Sequence, residues 1–381
     1  MTSVARISSL NTPVDEPARR HARHQALMRA YQNRYVVLPA RRPGGSVLGY
    51  LDARYDPAEI ARLEALRPAL EAELVLPAVA TAKRAAASLP FDTYVETLLP
   101  ELREGRENAF TAFLRGDPDR DHHYRNFLLQ SSADLLAEAS ASALGVVGAF
   151  GAPQSALFRI LIDEFGYGAH GQKHSVLYQA VMRGFGLDDE YDAYAPLFDT
   201  VAIELHNVIH YLFQNPRNVF LQVGFLLFAE TAYQRSTLDH YRYLREWRPD
   251  VDARYFGEHA HIDLHHTRMV IDEVARPFIA SYGDEVGLEI VAGAELTRAA
   301  FASAGAHMLA LSQAFADAAA AGQAVYREPR METLGDGVTP AGAASIHDGM
   351  IQVGGLGLAS SAAFGAFPSG AFGRTVNEDA T

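Results

Sequence analysis

Apolar residues recur three and four positions apart through most of the chain, the spacing that gathers them on one face of an α-helix. Period-two alternation between turn residues, the mark of a strand, is missing, so the pattern predicts an all-α protein. A helical stretch opens at Asp56-Pro57, an acid cap followed by proline at the first helical position, and runs to Leu89 with breaks at Pro68 and Pro77. Further helices are expected over residues 90–106, 126–151, 151–187 (with a Gly-rich middle at 166–171), 191–215, 217–247 and 284–321. Residues 219–232 are the most apolar run and read as a buried helix. The polar run GDPDRDHH at 116–123 reads as a turn and a boundary, with His122 and His123 as solvated loop side chains. Residues 1–25, polar and interrupted by proline, are expected to be disordered, and 328–381, rich in Gly, Ala and Ser, to form a flexible tail. What remains is a helical N-terminal extension over 26–122 and a bundle of about six long helices over 123–327.

Charge narrows the choice of partners. A net charge of -13 argues against nucleic acid or an anionic membrane surface. The chain has no cysteine, which removes disulfides and thiolate chemistry. It shows neither a secretory signal nor about 20 consecutive apolar residues, so a cytoplasmic protein without a membrane span is expected.

The densest chemistry is YFGEHAHIDLHHTRM, residues 255–269. A helix opening behind Gly257 and extending toward Ala280 sets His259, Asp263 and His266 (i, i+4, i+7) on one stripe. Two imidazoles and a carboxylate on one face suit iron, manganese or zinc, and by themselves would also serve a zinc hydrolase. Two acids elsewhere sit among bulky apolar neighbours: Glu138 in DLLAEASAS and Glu164 in ILIDEFGYG, where Asp163 competes with Glu164. A buried acid of this kind has to be paired, protonated or metal-bound. Ten residues beyond Glu164 comes His174, reachable if the chain loosens at Gly166, Gly168 and Gly171, with His170 as its substitute. Glu230, alone in FLLFAETAYQR, reads as a core acid in a salt bridge or as one more carboxylate near the metals. His206 and His210 form an i, i+4 pair with Glu204 nearby, read as a metal pair or as core hydrogen bonding. Glu258-x-x-His261 is a single Glu-x-x-His motif, whereas a ferritin-like bundle would use two. Arg235 and Arg268 are candidate clamps for a substrate carboxylate.

The order Glu138, Glu164, His174, His259-x-x-x-Asp263-x-x-His266 resembles that of the heme-oxygenase-like diiron oxidases, over roughly residues 125–325. Within them it is most similar to the N-oxygenase branch. The resemblance implies a heme-oxygenase-like helical bundle whose N-terminal extension serves dimerisation, giving an expected homodimer. It implies two irons cycling between diferrous and diferric, O2 as co-substrate, an external electron donor and no heme, since Glu138 stands where heme oxygenase has its proximal histidine. Carried over by position, Glu138, His174 and His266 would bind one iron, His259 and Asp263 the other, and Glu164 would bridge. The implied reaction is N-oxygenation of a small amine, guanidine or amino acid in a biosynthetic pathway. The same centre doing C–H abstraction, in desaturation or oxidative cleavage of an amino or fatty acid, is the alternative; a non-catalytic metal- or heme-binding protein is a third reading.

Overall fold

The computed structural model describes residues 16–39, 46–103, 105, 107–322, 324–326 and 351–353. Fifteen α-helices carry nearly all of it: α1 (Glu16–Gln32), α2 (Val47–Arg54), α3 (Pro57–Leu74), α4 (Leu76–Ala86), α5 (Phe91–Arg103), α6 (Ala109–Leu114), α7 (Arg120–Leu135), α8 (Ser140–Gly145), α9 (Ala152–Glu164), α10 (His174–Gly184), α11 (Thr200–Gln214), α12 (Val219–Trp247), α13 (Arg254–Met269), α14 (Arg276–Tyr282) and α15 (Asp284–Ala320). The expected cap is in place, Asp56 accepting from the Ala58 amide ahead of Pro57; α11 opens later than expected, at Thr200, where Asp199 accepts from Ala202.

The long α12 runs through two apolar cores. Its first half joins Leu27 and Tyr31 of α1, Val79 of α4, Leu157 of α9 and Ile290 of α15. Its second half joins Leu128 of α7, Tyr178 of α10, Tyr255 and Phe256 of α13, and Met308 of α15. Where α12 crosses α15, Gly224 and Gly293 let the backbones touch: a Cβ on Gly224 would lie 1.9 Å from the Ile290 carbonyl oxygen, and one on Gly293 2.0 Å from that of Leu221. Polar groups that would be expensive to bury lie between the two cores, and this is where the acids and imidazoles collect.

Several boundaries differ from expectation. Residues 16–25 are not disordered but form the first part of α1, whose inward side carries the buried His21 and His24. α3 continues through Pro68 and yields to α4 only at Val75. His123 is no solvated loop residue: α7 starts at Arg120 and buries it, with Asp117 3.5 Å away. The helix expected over 126–151 breaks after Leu135, turns at Ala139 (φ 65°) and resumes as α8, so Glu138 sits in the turn. α13 opens at Arg254 and passes through Gly257; after Met269 one wide π turn, Val270–Ala275, leads into α14. A short antiparallel pair also forms, β1 (Ala324–Tyr326) with β2 (Ile351–Val353), which the hydropathy pattern did not indicate. Apart from β2, the expected tail over 328–381 lies outside the described residues, as do residues 1–15. No helix among the described residues is long and apolar enough to cross a membrane.

Candidate metal centre

Four segments deliver the site. α9 ends on Glu164, where Phe165 and the left-handed Gly166 stop it; a Cβ on Gly166 would lie 2.5 Å from the backbone of Gln172, so glycine is needed for the chain to fold back. Two single 3₁₀ turns then bring His174 to the first position of α10. The loosening expected at the glycines is thus a complete break. α12 contributes Glu230, α13 its stripe of His259, Asp263 and His266, and the turn after α7 contributes Glu138.

These side chains form two clusters that share one residue. Glu138, Glu164, His174 and His259 present ligand atoms within 4.8 Å of one another, and so do Glu164, Glu230, Asp263 and His266. Glu164 turns one oxygen to each. Its Oε2 lies 2.7 Å from His174 Nδ1 and 3.9 Å from His259 Nε2, while its Oε1 lies 3.6 Å from His266 Nδ1. His259 Nε2 is also 3.3 Å from Glu138 Oε1 and 3.1 Å from His174 Nδ1. His266 Nδ1 is 3.1 Å from Glu230 Oε2 and 3.8 Å from Asp263 Oδ1. The partition therefore differs from the one the resemblance implied. His259, not His266, stands with Glu138 and His174, and His266 stands with Asp263. Glu230 completes the second cluster.

Neighbouring groups orient the imidazoles. The His259 Nδ1–H donates to the Tyr255 carbonyl oxygen at 2.9 Å, which leaves Nε2 facing its cluster. The His266 Nε2–H donates to Asp163 Oδ2 at 3.1 Å, which leaves Nδ1 facing the other. Tyr255 OH donates to Glu138 Oε1 at 2.9 Å. Asp163, a rival to Glu164 in the sequence, is thus a partner of a cluster residue.

Burial and mutual charge set the protonation. Burial alone would raise the Glu164 carboxyl, but the imidazoles of His174, His259 and His266 outweigh it and hold it at about 2. Asp263, 0% exposed, is pushed well above the usual carboxylate range by burial, with Glu230 and Glu164 adding to the push and His259 and His266 opposing it. Burial depresses His259 and His266, yet the carboxylates around them win: His259 is driven well above its ordinary value, and His266 to about 10. Both oxygens of Asp263 and Oε2 of Glu138 are buried without a hydrogen-bond partner. Three imidazoles and four carboxylates with orphaned oxygens are what a pair of divalent cations with nitrogen and oxygen preference would satisfy.

Other residues singled out in the sequence fall elsewhere. His170 and His261 are exposed and join neither cluster. His206 and His210 are buried on α11, their rings 4.0 Å apart, and gather with Asp134 as a separate group; His206 Nδ1–H donates to Asp134 Oδ1 at 2.7 Å. Arg268 is exposed, and Arg235 bonds Asp239 at 3.3 Å, so neither reaches a cavity beside the clusters.

Two cavities flank the centre. One of about 90 Å³ touches Glu138, Glu164, Glu230 and His259. A chamber of about 510 Å³ lies beyond Tyr233 and Tyr255, walled mainly by apolar side chains such as Phe127, Phe256 and Phe301, with Asp134, Asp199 and His307 among its polar groups. Neither lining includes a lysine or an arginine.

Three likenesses to known proteins emerge from comparison. The chain is 34% identical over 253 residues to nitrosourea synthase of Streptomyces achromogenes subsp. streptozoticus, a match covering 64% of this chain and 52% of that protein, so it spans about half the length of this relative. Among solved structures, a CADD-like protein of unknown function from Nostoc punctiforme PCC 73102 covers 58% of this chain and 97% of its own, at 16% identity and a TM-score of 0.46. A family model described as iron-containing redox enzyme matches residues 125–302, the span that holds every residue of both clusters.

Proposed function

We propose that the protein is a non-heme diiron oxygenase that uses O2 to oxidise the nitrogen of a small amine or guanidine. The observation that carries this is the meeting of a double acid–imidazole cluster with a chamber that holds carboxylates and no lysine or arginine. Glu138, His174 and His259 would hold one iron, Glu230, Asp263 and His266 the other, and Glu164 would lie between them. Iron bound there supplies O2 activation, with electrons from an external donor.

The chain's own groups supply the rest. Asp163 holds the proton on His266 Nε2, and the Tyr255 carbonyl the one on His259 Nδ1, so the proton that a bound cation would displace is the one on His266 Nδ1 and on His259 Nε2. Tyr233 and Tyr255 stand between the chamber and the clusters and limit the water that reaches them. The aromatic walls receive the apolar part of a substrate, and a cationic nitrogen is favoured by Asp134, whereas Asp199 already pairs with His307 at 3.1 Å. A fatty or amino acid would have to bring its carboxylate into a chamber without a lysine or arginine to receive it, which disfavours the C–H-oxidising alternative.

The test is anaerobic loading with Fe(II), metal analysis, and O2 uptake with mass spectrometry of products across amines, guanidines and fatty acids. About two irons per chain, with uptake accelerated by a nitrogen compound that gains oxygen at nitrogen, supports the proposal. Oxidation at carbon only, or O2 uptake accelerated by fatty acids alone, refutes it.

A further inference from the structure

Four residues line both cavities: Asp134, Leu135, Ile209 and Tyr233. They form the wall shared by the chamber and the cavity beside the clusters, and Asp134 alone among them carries charge. It lies on α7, one helical turn before Glu138. Its Oδ1 accepts from His206 Nδ1–H at 2.7 Å, while its Oδ2 takes no hydrogen bond among the described residues, and 20% of the side chain is exposed. His206 in turn packs against His210, which burial and His206 hold well below its ordinary value and hence uncharged. No lysine or arginine lines either cavity. A carboxylate fixed at one oxygen and open at the other, on the wall shared by the chamber and the cavity beside the clusters, is short of a cationic partner.

We propose that Asp134 receives the substrate's positively charged nitrogen and holds it at the chamber wall nearest the metal centre. This deepens the reading above and rests on it. The ligand is a protonated amine or guanidinium with an apolar body small enough for a chamber of about 510 Å³. Asp134 is then a binding residue that selects cations over carboxylates, and His206 is its positioning residue.

The experiment is calorimetric titration of n-hexylguanidinium, with n-hexanoate and n-hexanol as charge controls, into the iron-loaded protein under nitrogen. Wild type is compared with Asp134→Asn, which still accepts from His206, and with Asp134→Glu. The expected result is loss of at least about tenfold in hexylguanidinium affinity in Asp134→Asn, partial recovery in Asp134→Glu, unchanged hexanol binding and unchanged iron content. The inference is overturned if wild type does not bind the cation, if Asp134→Asn binds it equally well, or if hexanoate binds more tightly. It is also overturned if Asp134→Asn loses a metal ion, since Asp134, His206 and His210 would then be a metal site. Products separate this result from the proposed function: a wild type that oxidises only carbon refutes N-oxygenation, while the charge dependence at Asp134 still decides the present claim.

Discussion

Gly224→Ala tests the packing that positions the candidate metal centre. An added Cβ would meet the Ile290 carbonyl oxygen at 1.9 Å, the Ala294 nitrogen at 2.6 Å and the Gly293 Cα at 2.8 Å, all backbone atoms that no rotamer change can move. Ordinary contact begins at 3.4 Å, so α12 and α15 have to separate by about 1.5 Å. A gap of that size forfeits a large part of the dispersion attraction along the whole crossing. With the strain of overpacking, the cost comes to about 4 kcal/mol. That corresponds to a melting temperature about 5 °C lower for a chain of this size. The assay is calorimetric or circular-dichroism melting of metal-free protein. Gly293→Ala should do the same, since its Cβ would meet the Leu221 carbonyl oxygen at 2.0 Å. The two together should cost less than their sum, because the first substitution already opens the gap the second requires. A Gly224→Ala protein melting within about 2 °C of wild type would refute the argument.

Glu164→Ala should abolish high-affinity binding of both ions, whereas Glu230→Ala should weaken only the second cluster, leaving about one iron per chain; metal analysis after desalting distinguishes them, and equal losses would contradict the two-cluster geometry. Asp163→Asn, which leaves the clusters intact and changes only the acceptor for His266 Nε2–H, should reduce affinity for one ion by about 10–100-fold, read by competition with a chelator. Burial holds His21 at about 4 and His240 at about 3, below an ordinary value of 6.5. Folded-state values that are lowered give stability fully present above pH 6.5 and lost as pH falls toward them. Urea denaturation should therefore show about 4 kcal/mol less stability at pH 5 than at pH 7.5 from this pair, and His240→Phe should remove part of that slope; a slope the substitution leaves unchanged would count against it.

The sequence made the helices readable wherever an apolar stripe met a core, as along α11, α12 and α15. α1 escaped because its inward side is built from His21 and His24, so EPARRHARH has a buried face that looks polar. The break before α8 escaped because the left-handed turn falls on Ala139, a residue with no turn signature. The stripe of His259, Asp263 and His266 and the lone acids Glu138, Glu164 and Glu230 stood out because such groups contradict their apolar surroundings. Their division into two clusters did not. Spacing puts residues on one face of a helix, but the choice of cluster depends on which neighbour lies opposite each turn: α10 and the turn after α7 at His259, α12 at His266. Asp134 carried no signal beyond lying four residues before Glu138.

Glu164, with one oxygen turned to each cluster, would make two ion sites thermodynamically inseparable if each cluster binds a cation. An ion in the first site fixes the carboxylate that the second must use, so the first changes the affinity for the second by some factor, and the second must change the affinity for the first by the same factor. A titration with Fe(II) then reports a coupling free energy as well as two affinities. The protein with one ion bound is a distinct species, whose abundance is set by that coupling and by how much iron the solution offers.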